Sequence, residues 1–321
     1  MSNVMVTGGA GMTGSALVDR LIEQGNQVTV VDDLSRGSHK YLNPKAKFIH
    51  HDVTNGVPYG ISVDAVYHLA ARVGGVKYTQ VNQWENAVNA AIDWKVIEFC
   101  TNNRLPLLYV SSACVYSENL QYPTIMDASD ALPVPIREAD INSEYRPDSL
   151  YGWAKLFGEF TLQSAIDERA LPAKVVRLFN VYGPRVSPDV SAHVIPALIY
   201  RSLTMNGSGL TVWGTGQQRR SFVHVNDVVN GILLVMEKGK VGEAYNIGTP
   251  ETVTMLELAT TILSAVRSEG ATITVDPTQP QGVFGRCANI DKIKTLGWSP
   301  TVSLKSGIFD TVGWCRRWWN L

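Results

Sequence analysis

At 321 residues the chain is long for a single hydrophobic core and comfortable for two unequal lobes. Its 28 basic and 29 acidic side chains leave a formal net charge of −1, without the basic excess of a nucleic-acid binder. Its four cysteines form no CxxC pair and join no zinc-spaced histidine cluster, so neither a disulfide scaffold nor a metal site is expected, and a reducing cytoplasm is.

Residues 4–7 read as a short buried strand, which leaves no leader to expect before it. Residues 14–24 carry Ala16, Leu17, Leu21 and Ile22 at helical spacing. Strands are predicted over 27–31, 47–50 and 63–69. A long helix is predicted over 84–102, a strand over 107–111, a helix over 149–169 and a strand over 173–178. This alternation implies an α/β fold with a doubly wound, mostly parallel sheet. The second half is less regular. Helices are predicted over 192–203 (Pro196 falls in the first turn, where it is tolerated), 253–266 and 305–319. Short strands are predicted over 210–213, 221–224 and 245–247. We therefore expect a sheet domain over 1–180 and a smaller C-terminal lobe over 181–321, with 221–247 returning to the first. The apolar run 228–236 is interrupted by Asn230 and Gly231 and is too short to span a bilayer.

Between the first strand and helix lies Gly8-Gly9-Ala10-Gly11-Met12-Thr13-Gly14. Gly8, Gly11 and Gly14 have the GxxGxxG spacing of a Rossmann-type loop. Such a loop turns sharply and presents helix N-terminal N–H groups to a pyrophosphate. Asp32, 18 residues after Gly14, ends the second strand. A carboxylate there accepts from ribose hydroxyls and repels a 2′-phosphate, so NAD is expected over NADP, although Arg36 keeps NADP open. Asp52 follows the third strand, where it either reaches the adenine or caps the strand end.

Tyr151 and Lys155 are four residues apart, on one face of a helix. An ammonium beside a phenol lowers the phenol's pKa toward neutrality and makes it a usable acid–base group. Ser112 ends the preceding strand and can bond the same reacting oxygen. With the glycine loop, these residues resemble the extended short-chain dehydrogenase/reductase family. Further support comes from His68-Leu69-Ala70-Ala71, Ser111-Ser112-Ala113, Asn180-Val181-Tyr182-Gly183-Pro184 and Leu296-Gly297-Trp298-Ser299-Pro300. The resemblance covers nearly the whole chain. It implies hydride transfer at a sugar carbon by Ser112, Tyr151 and Lys155. The cofactor would lie along Gly8, Gly11, Met12, Gly14, Asp32, Asp52, Val53, Leu69, Ala70 and Ala71, and a nucleotide sugar would lie in the C-terminal lobe.

Cys114, two residues after Ser112, and His193 suggest a narrower relation. Inverting a carbon beside a 4-keto group requires one group to remove a proton and another to return one on the opposite face. Thiol and imidazole have ordinary pKa values within about two units of neutrality. Both residues and their surroundings, with Ala71-Arg72-Val73-Gly74-Gly75, resemble the GDP-sugar 3,5-epimerases, which include the GDP-fucose synthases and GDP-mannose 3,5-epimerases. There are departures. The former reduce with NADPH, whereas Asp32 points to NAD. The latter pair the cysteine with a lysine, and residues 184–195 hold none, only Asp189 and His193.

The resemblance also implies substrate contacts from Gly74, Asn180, Arg201, Trp213, Arg220 and Arg286, the arginines meeting phosphate. It implies a homodimer paired through the helices over 84–102 and 149–169. The leading expectation is thus an NAD-dependent GDP-hexose epimerase that oxidises C4, inverts C3 and/or C5 and restores C4. The alternatives are a UDP-sugar 4-epimerase and a net reductase of a 4-keto-6-deoxyhexose. A scaffold protein without chemistry is disfavoured, because Ser112, Tyr151 and Lys155 are all present.

Overall fold

The computed structural model describes residues 1–122, 132–142, 144–186, 193–204, 209–268 and 270–319. In the first half, apolar strands alternate with helices: β1 (Asn3–Thr7), α1 (Met12–Glu23), β2 (Gln27–Asp32), β3 (Lys47–His50), β4 (Ala65–His68), α2 (Val76–Val81), α3 (Gln83–Asn103), β5 (Leu107–Ser112), α4 (Leu150–Arg169) and β6 (Ala173–Leu178). The second half holds β7 (Val181–Tyr182), α5 (Val194–Thr204), β8 (Leu210–Trp213), β9 (Arg219–Arg220), β10 (Val223–His224), α6 (Val225–Lys238) and β11 (Ala244–Ile247). It ends with β12 (Val253–Thr254), α7 (Met255–Val266), β13 (Ile273–Asp276), β14 (Gly285–Arg286), α8 (Asp291–Lys294) and α9 (Leu304–Trp318).

Seven strands form one parallel sheet in the order β11-β6-β5-β4-β1-β2-β3. The central strands are largely apolar because helices cover both faces. On one face Leu17, Leu21, Val228, Ile232, Val235 and Trp298 close a core under α1 and α6. On the other, Ile92, Val96, Cys100 and Leu162 of α3 and α4 pack on Met5, Val66, Leu107 and Tyr109. A separate core built around Leu198, Ile199, Leu258, Ile262, Ile308 and Trp314 joins α5, α7 and α9.

The strand order reverses at β1, so the crevice beyond the carboxyl ends of β1 and β4 is where such sheets bind ligands. Ser149 caps α4, its hydroxyl accepting from Gly152 N at 3.3 Å, and this sets the start of the Tyr151–Lys155 helix.

Several elements depart from expectation. The run 228–236, read as an apolar stretch interrupted by Asn230 and Gly231, lies inside the 14-residue α6, whose His224 cap accepts from Asn226 N. Its buried Val225, Val228, Val229, Ile232 and Val235 recur at helical spacing and form the stripe that packs on the sheet. β13 pairs in parallel with β8, and β14 with β9; neither is among the expected strands, although Ile273-Thr274-Val275 alternates as a strand does. The helix expected from 192 begins at Val194; Asp189 and Ala192 lie outside the described residues.

Candidate active site

One cleft of about 1070 Å³ runs along the carboxyl ends of the strands. It stands at the upper limit of the roughly 300–1,000 Å³ of small-ligand pockets. Every residue singled out above for catalysis, cofactor or substrate lines it.

At one end the N-terminus of α1 opens into the cleft. Its cap, Gly11, has no side-chain hydrogen bond, so the first-turn N–H groups stay free for an anion. The helix is held against the loop by absent side chains: a Cβ on Gly14 would stand 2.0 Å from Gly8 O. Asp32 is 8% exposed; its Oδ2 accepts from Ala10 N at 2.9 Å and its Oδ1 from Leu34 N at 2.8 Å. Burial raises its pKa against the pull of those two N–H groups. Arg36 is turned to the other wall, donating from Nε to Val73 O at 2.9 Å and lying 4.6 Å over the Tyr78 ring. Asp52 caps a short turn, its Oδ1 accepting from Thr54 N at 2.9 Å, and still borders the cleft. Val53, Leu69, Ala70 and Ala71 form the adjoining wall.

Ser112, Cys114, Tyr151 and Lys155 meet in the middle of the cleft. Burial, then the nearby Cys114 and Asp93, hold the Tyr151 phenol well above its ordinary pKa, and a hydrogen bond with Ser112 works in the opposite sense. This reverses the lowering expected from a tyrosine–lysine pair alone. Burial is the first reason; beside it, the Lys155 Nζ lies 3.1 Å from the buried Asp93 carboxylate. The Cys114 thiol accepts from Arg286 Nη1 at 3.2 Å, yet burial outweighs that cation and pushes the thiol up. His193 is open to water in the cleft but crowded by its walls. Burial first, then the charge of Arg36, holds its imidazole down to about 4. At neutral pH this geometry therefore presents an uncharged thiol and an uncharged imidazole, not a pair poised near neutrality.

At the far end Arg201 lies 5.1 Å over the Trp213 ring and donates to Thr211 O. Arg220 donates to the carbonyls of Arg219, Val283 and Phe284. Arg286 binds Gln121, Cys114 and Asp148, the last at 2.6 Å. Asn180 has φ 36° and donates to Ser221 O at 2.8 Å. Gly74 borders the cleft beside α2. Among the described residues the buried Gln218 amide oxygen, also in this wall, has no hydrogen-bond partner.

Three functional candidates escaped the sequence reading. Asp148, three residues before Tyr151, fixes Arg286. Gln218 had no motif. Asp93 sits on the buried side of α3 beside Ile92 and Val96, and an acid there was the one available signal.

The parallel sheet, the open helix N-terminus with its acid at β2, and the tyrosine–lysine pair define a nicotinamide-dependent enzyme of the short-chain dehydrogenase type. The comparisons agree. The chain belongs to the NAD dependent epimerase/dehydratase family, whose model matches residues 4–248. Its cofactor is NAD, and the free first-turn N–H groups, the close-set glycines and Asp32 fit that dinucleotide. A UDP-glucuronic acid decarboxylase 2 of Arabidopsis thaliana is 32% identical over 312 residues, 95% of this chain and 66% of that protein. The chain thus spans just under two thirds of that relative's length. A putative UDP-glucose 4-epimerase of Methanocaldococcus jannaschii is 30% identical, with 98% of each chain covered. The solved UDP-glucose 4-epimerase of Thermotoga maritima with UDP-glucose is 31% identical at TM-score 0.84, covering 98% of this chain and 99% of that one. These relatives carry UDP-sugar names, so they do not support the expected GDP-sugar 3,5-epimerase relation. Among the described residues no helix is long and apolar enough to cross a membrane.

Proposed function

We propose that the protein is an NAD-dependent 4-epimerase of a UDP-hexose. The observation that carries this reading is the placement of Ser112, Tyr151 and Lys155 midway along a cleft whose two ends suit a dinucleotide and an arginine-held nucleotide diphosphate. Bound NAD supplies a hydride acceptor that later returns the same hydride. Tyr151 takes the proton of the C4 hydroxyl as the carbon is oxidised and gives it back after the ring presents its other face. Ser112 holds the C4 oxygen, and Lys155 holds the cofactor ribose. Cleavage of a further bond, as in dehydration, needs an acid to protonate the leaving group. The carboxylates near the centre are already paired, Glu118 with Arg146 and Asp148 with Arg286, which favours simple return of the hydride. UDP is supported over GDP by the names of the relatives.

A second reading, a GDP-hexose 3,5-epimerase, keeps one observation in its favour: Cys114 and His193 line the same cleft as Tyr151. One experiment separates the two. UDP-glucose or GDP-mannose is incubated with enzyme and NAD in heavy water and examined by NMR. The first reading expects C4 inversion of UDP-glucose with no deuterium in the sugar. Deuterium at C3 or C5 moves the assignment to the second. Loss of carbon dioxide from UDP-glucuronate, or net NADH formation, sinks both.

We also propose a homodimer. Trp84 and Trp94 on α3 and Trp153, Phe157 and Phe160 on α4 are exposed, although these helices pack side by side on the sheet. Unpartnered aromatics on adjacent helices fit a second copy.

A further inference from the structure

Asp93 is 0% exposed and is met by three donors from three elements. His68 Nε2 of β4 stands 3.0 Å and Lys155 Nζ of α4 3.1 Å from its Oδ1, and the Tyr109 hydroxyl of β5 stands 2.6 Å from its Oδ2. Only a carboxylate can accept from all three; an asparagine would turn a donor toward at least one of them. Because the carboxylate only accepts, His68 carries its proton on Nε2. Its Nδ1 then accepts from the Thr7 hydroxyl at 2.7 Å, and that hydroxyl oxygen accepts from Ala70 N at 3.3 Å. The network therefore runs from the cofactor wall at Ala70 to the ammonium of Lys155. The close approach of α4 depends on Gly158, where a Cβ would lie 2.3 Å from the Tyr109 hydroxyl and 2.8 Å from Asp93 Oδ2.

We propose that Asp93 is a positioning residue of the Tyr151–Lys155 pair: its buried carboxylate anchors the Lys155 ammonium and offsets that charge as seen from Tyr151. Burial holds His68 below its ordinary pKa, so it is neutral, and Lys155 is the cation that answers Asp93. Glu159 of α4, the other acid near Tyr109, is taken by Arg177. The groups facing Tyr151 itself are Cys114 and Ser112, with Arg286 bonded to Cys114 and Asp148 bonded to Arg286. With its charge offset, Lys155 contributes chiefly hydrogen bonds at a fixed place, and the phenol stays a stronger base once ionised. An isolated ammonium would make it a weaker base that ionises more readily.

The inference rests on Tyr151 as the acid–base group, but its test needs no turnover. Tyrosinate absorbance of the NAD-loaded enzyme is titrated without substrate, taking the difference against Tyr151→Phe in each background. Asp93→Asn should lower the Tyr151 midpoint by about one pH unit, and Lys155→Met should raise it similarly. The double variant, which buries no unpaired charge, should return it close to the unmodified enzyme. A midpoint in Asp93→Asn equal to or above that of the unmodified enzyme overturns the proposal. Should Asp93→Asn not fold, the double variant must still titrate below Lys155→Met; no difference overturns it as well. An Asp93 that serves only to hold the fold would change stability and leave the Asp93→Asn midpoint in place. Failure to turn over UDP-hexose leaves these results standing, whereas a Tyr151→Phe enzyme that keeps full turnover removes both readings.

Discussion

Replacing Gly14 by alanine tests the cofactor site where its tolerance is smallest. The added Cβ would stand 2.0 Å from Gly8 O and 2.8 Å from Gly8 C, both backbone atoms that cannot swing aside. Ordinary contact begins near 3.4 Å, so the loop and α1 must part by about 1.4 Å. An N–H···O bond of ordinary length lengthened by that amount is no longer a bond. Bonds from first-turn N–H groups to a pyrophosphate are charge-assisted and contribute about 1.5–3 kcal/mol each. Losing two weakens NAD binding by roughly 3–6 kcal/mol, or about 10²- to 10⁴-fold. The same overpacking costs the cofactor-free fold only about 1–3 kcal/mol. Fluorescence titration with NADH measures the first quantity and urea unfolding the second. A folded Gly14→Ala protein that binds within about tenfold of the unmodified one would refute the reasoning, because α1 would then not be the pyrophosphate cradle.

Asp32→Asn removes the charge facing the ribose, so the preference for NAD over NADP should fall by about tenfold or more in competitive binding. An unchanged ratio would mean that Arg36, not Asp32, sets it. Arg177 binds Glu159 at 2.7 and 3.0 Å and also the Tyr116 hydroxyl and Glu138 O, all within the core. Arg177→Met strands the Glu159 charge and should cost about 3–5 kcal/mol in urea unfolding; a loss under about 1 kcal/mol would show that the pair is dispensable. Phe157→Asp should shift the sedimenting species from dimer to monomer, and an unchanged mass would discard the α3–α4 interface. The His193 pKa falls from 6.5 to about 4 on folding, so the unfolded chain takes up its proton first. Stability should therefore drop as pH falls between those values and level off below about 4. His193→Gln should flatten that drop, and parallel curves for the two proteins would contradict the lowered imidazole pKa.

The parts legible in the sequence are those fixed by local rules. The β1–loop–α1–β2 unit declares itself because strand, glycine spacing and acid follow one another within the first 32 residues. Tyr151 and Lys155 share a face by helical spacing alone, and Ser149 marks where that helix starts. The state of those groups was not legible. Whether an ammonium lowers a phenol's pKa depends on what else touches the ammonium, and Asp93 reaches Lys155 across 62 positions of chain. An acid within a helix ordinarily reads as a solvated face; here His68, Tyr109 and Lys155 from three other elements make burial tolerable. Thiol and imidazole likewise looked suited to proton transfer from their free-solution values, and burial moved both in directions that favour the neutral form. β8 is legible and β13 alternates in Ile273-Thr274-Val275, whereas β9 and β14, with two residues each, are too short to show a period.

The placement of β11 beside β6 governs how the protein can be made. That strand leaves the ribosome only after α5 and α6, so in a nascent chain holding 178 residues the sheet has six strands and β6 stands at the border that β11 later takes. Until Ile247 emerges, β6 offers its unpaired N–H and C=O groups to any neighbouring chain. A fragment ending near residue 180 is therefore expected to clump, and any surgical separation of the two lobes must carry 225–247 along with the first.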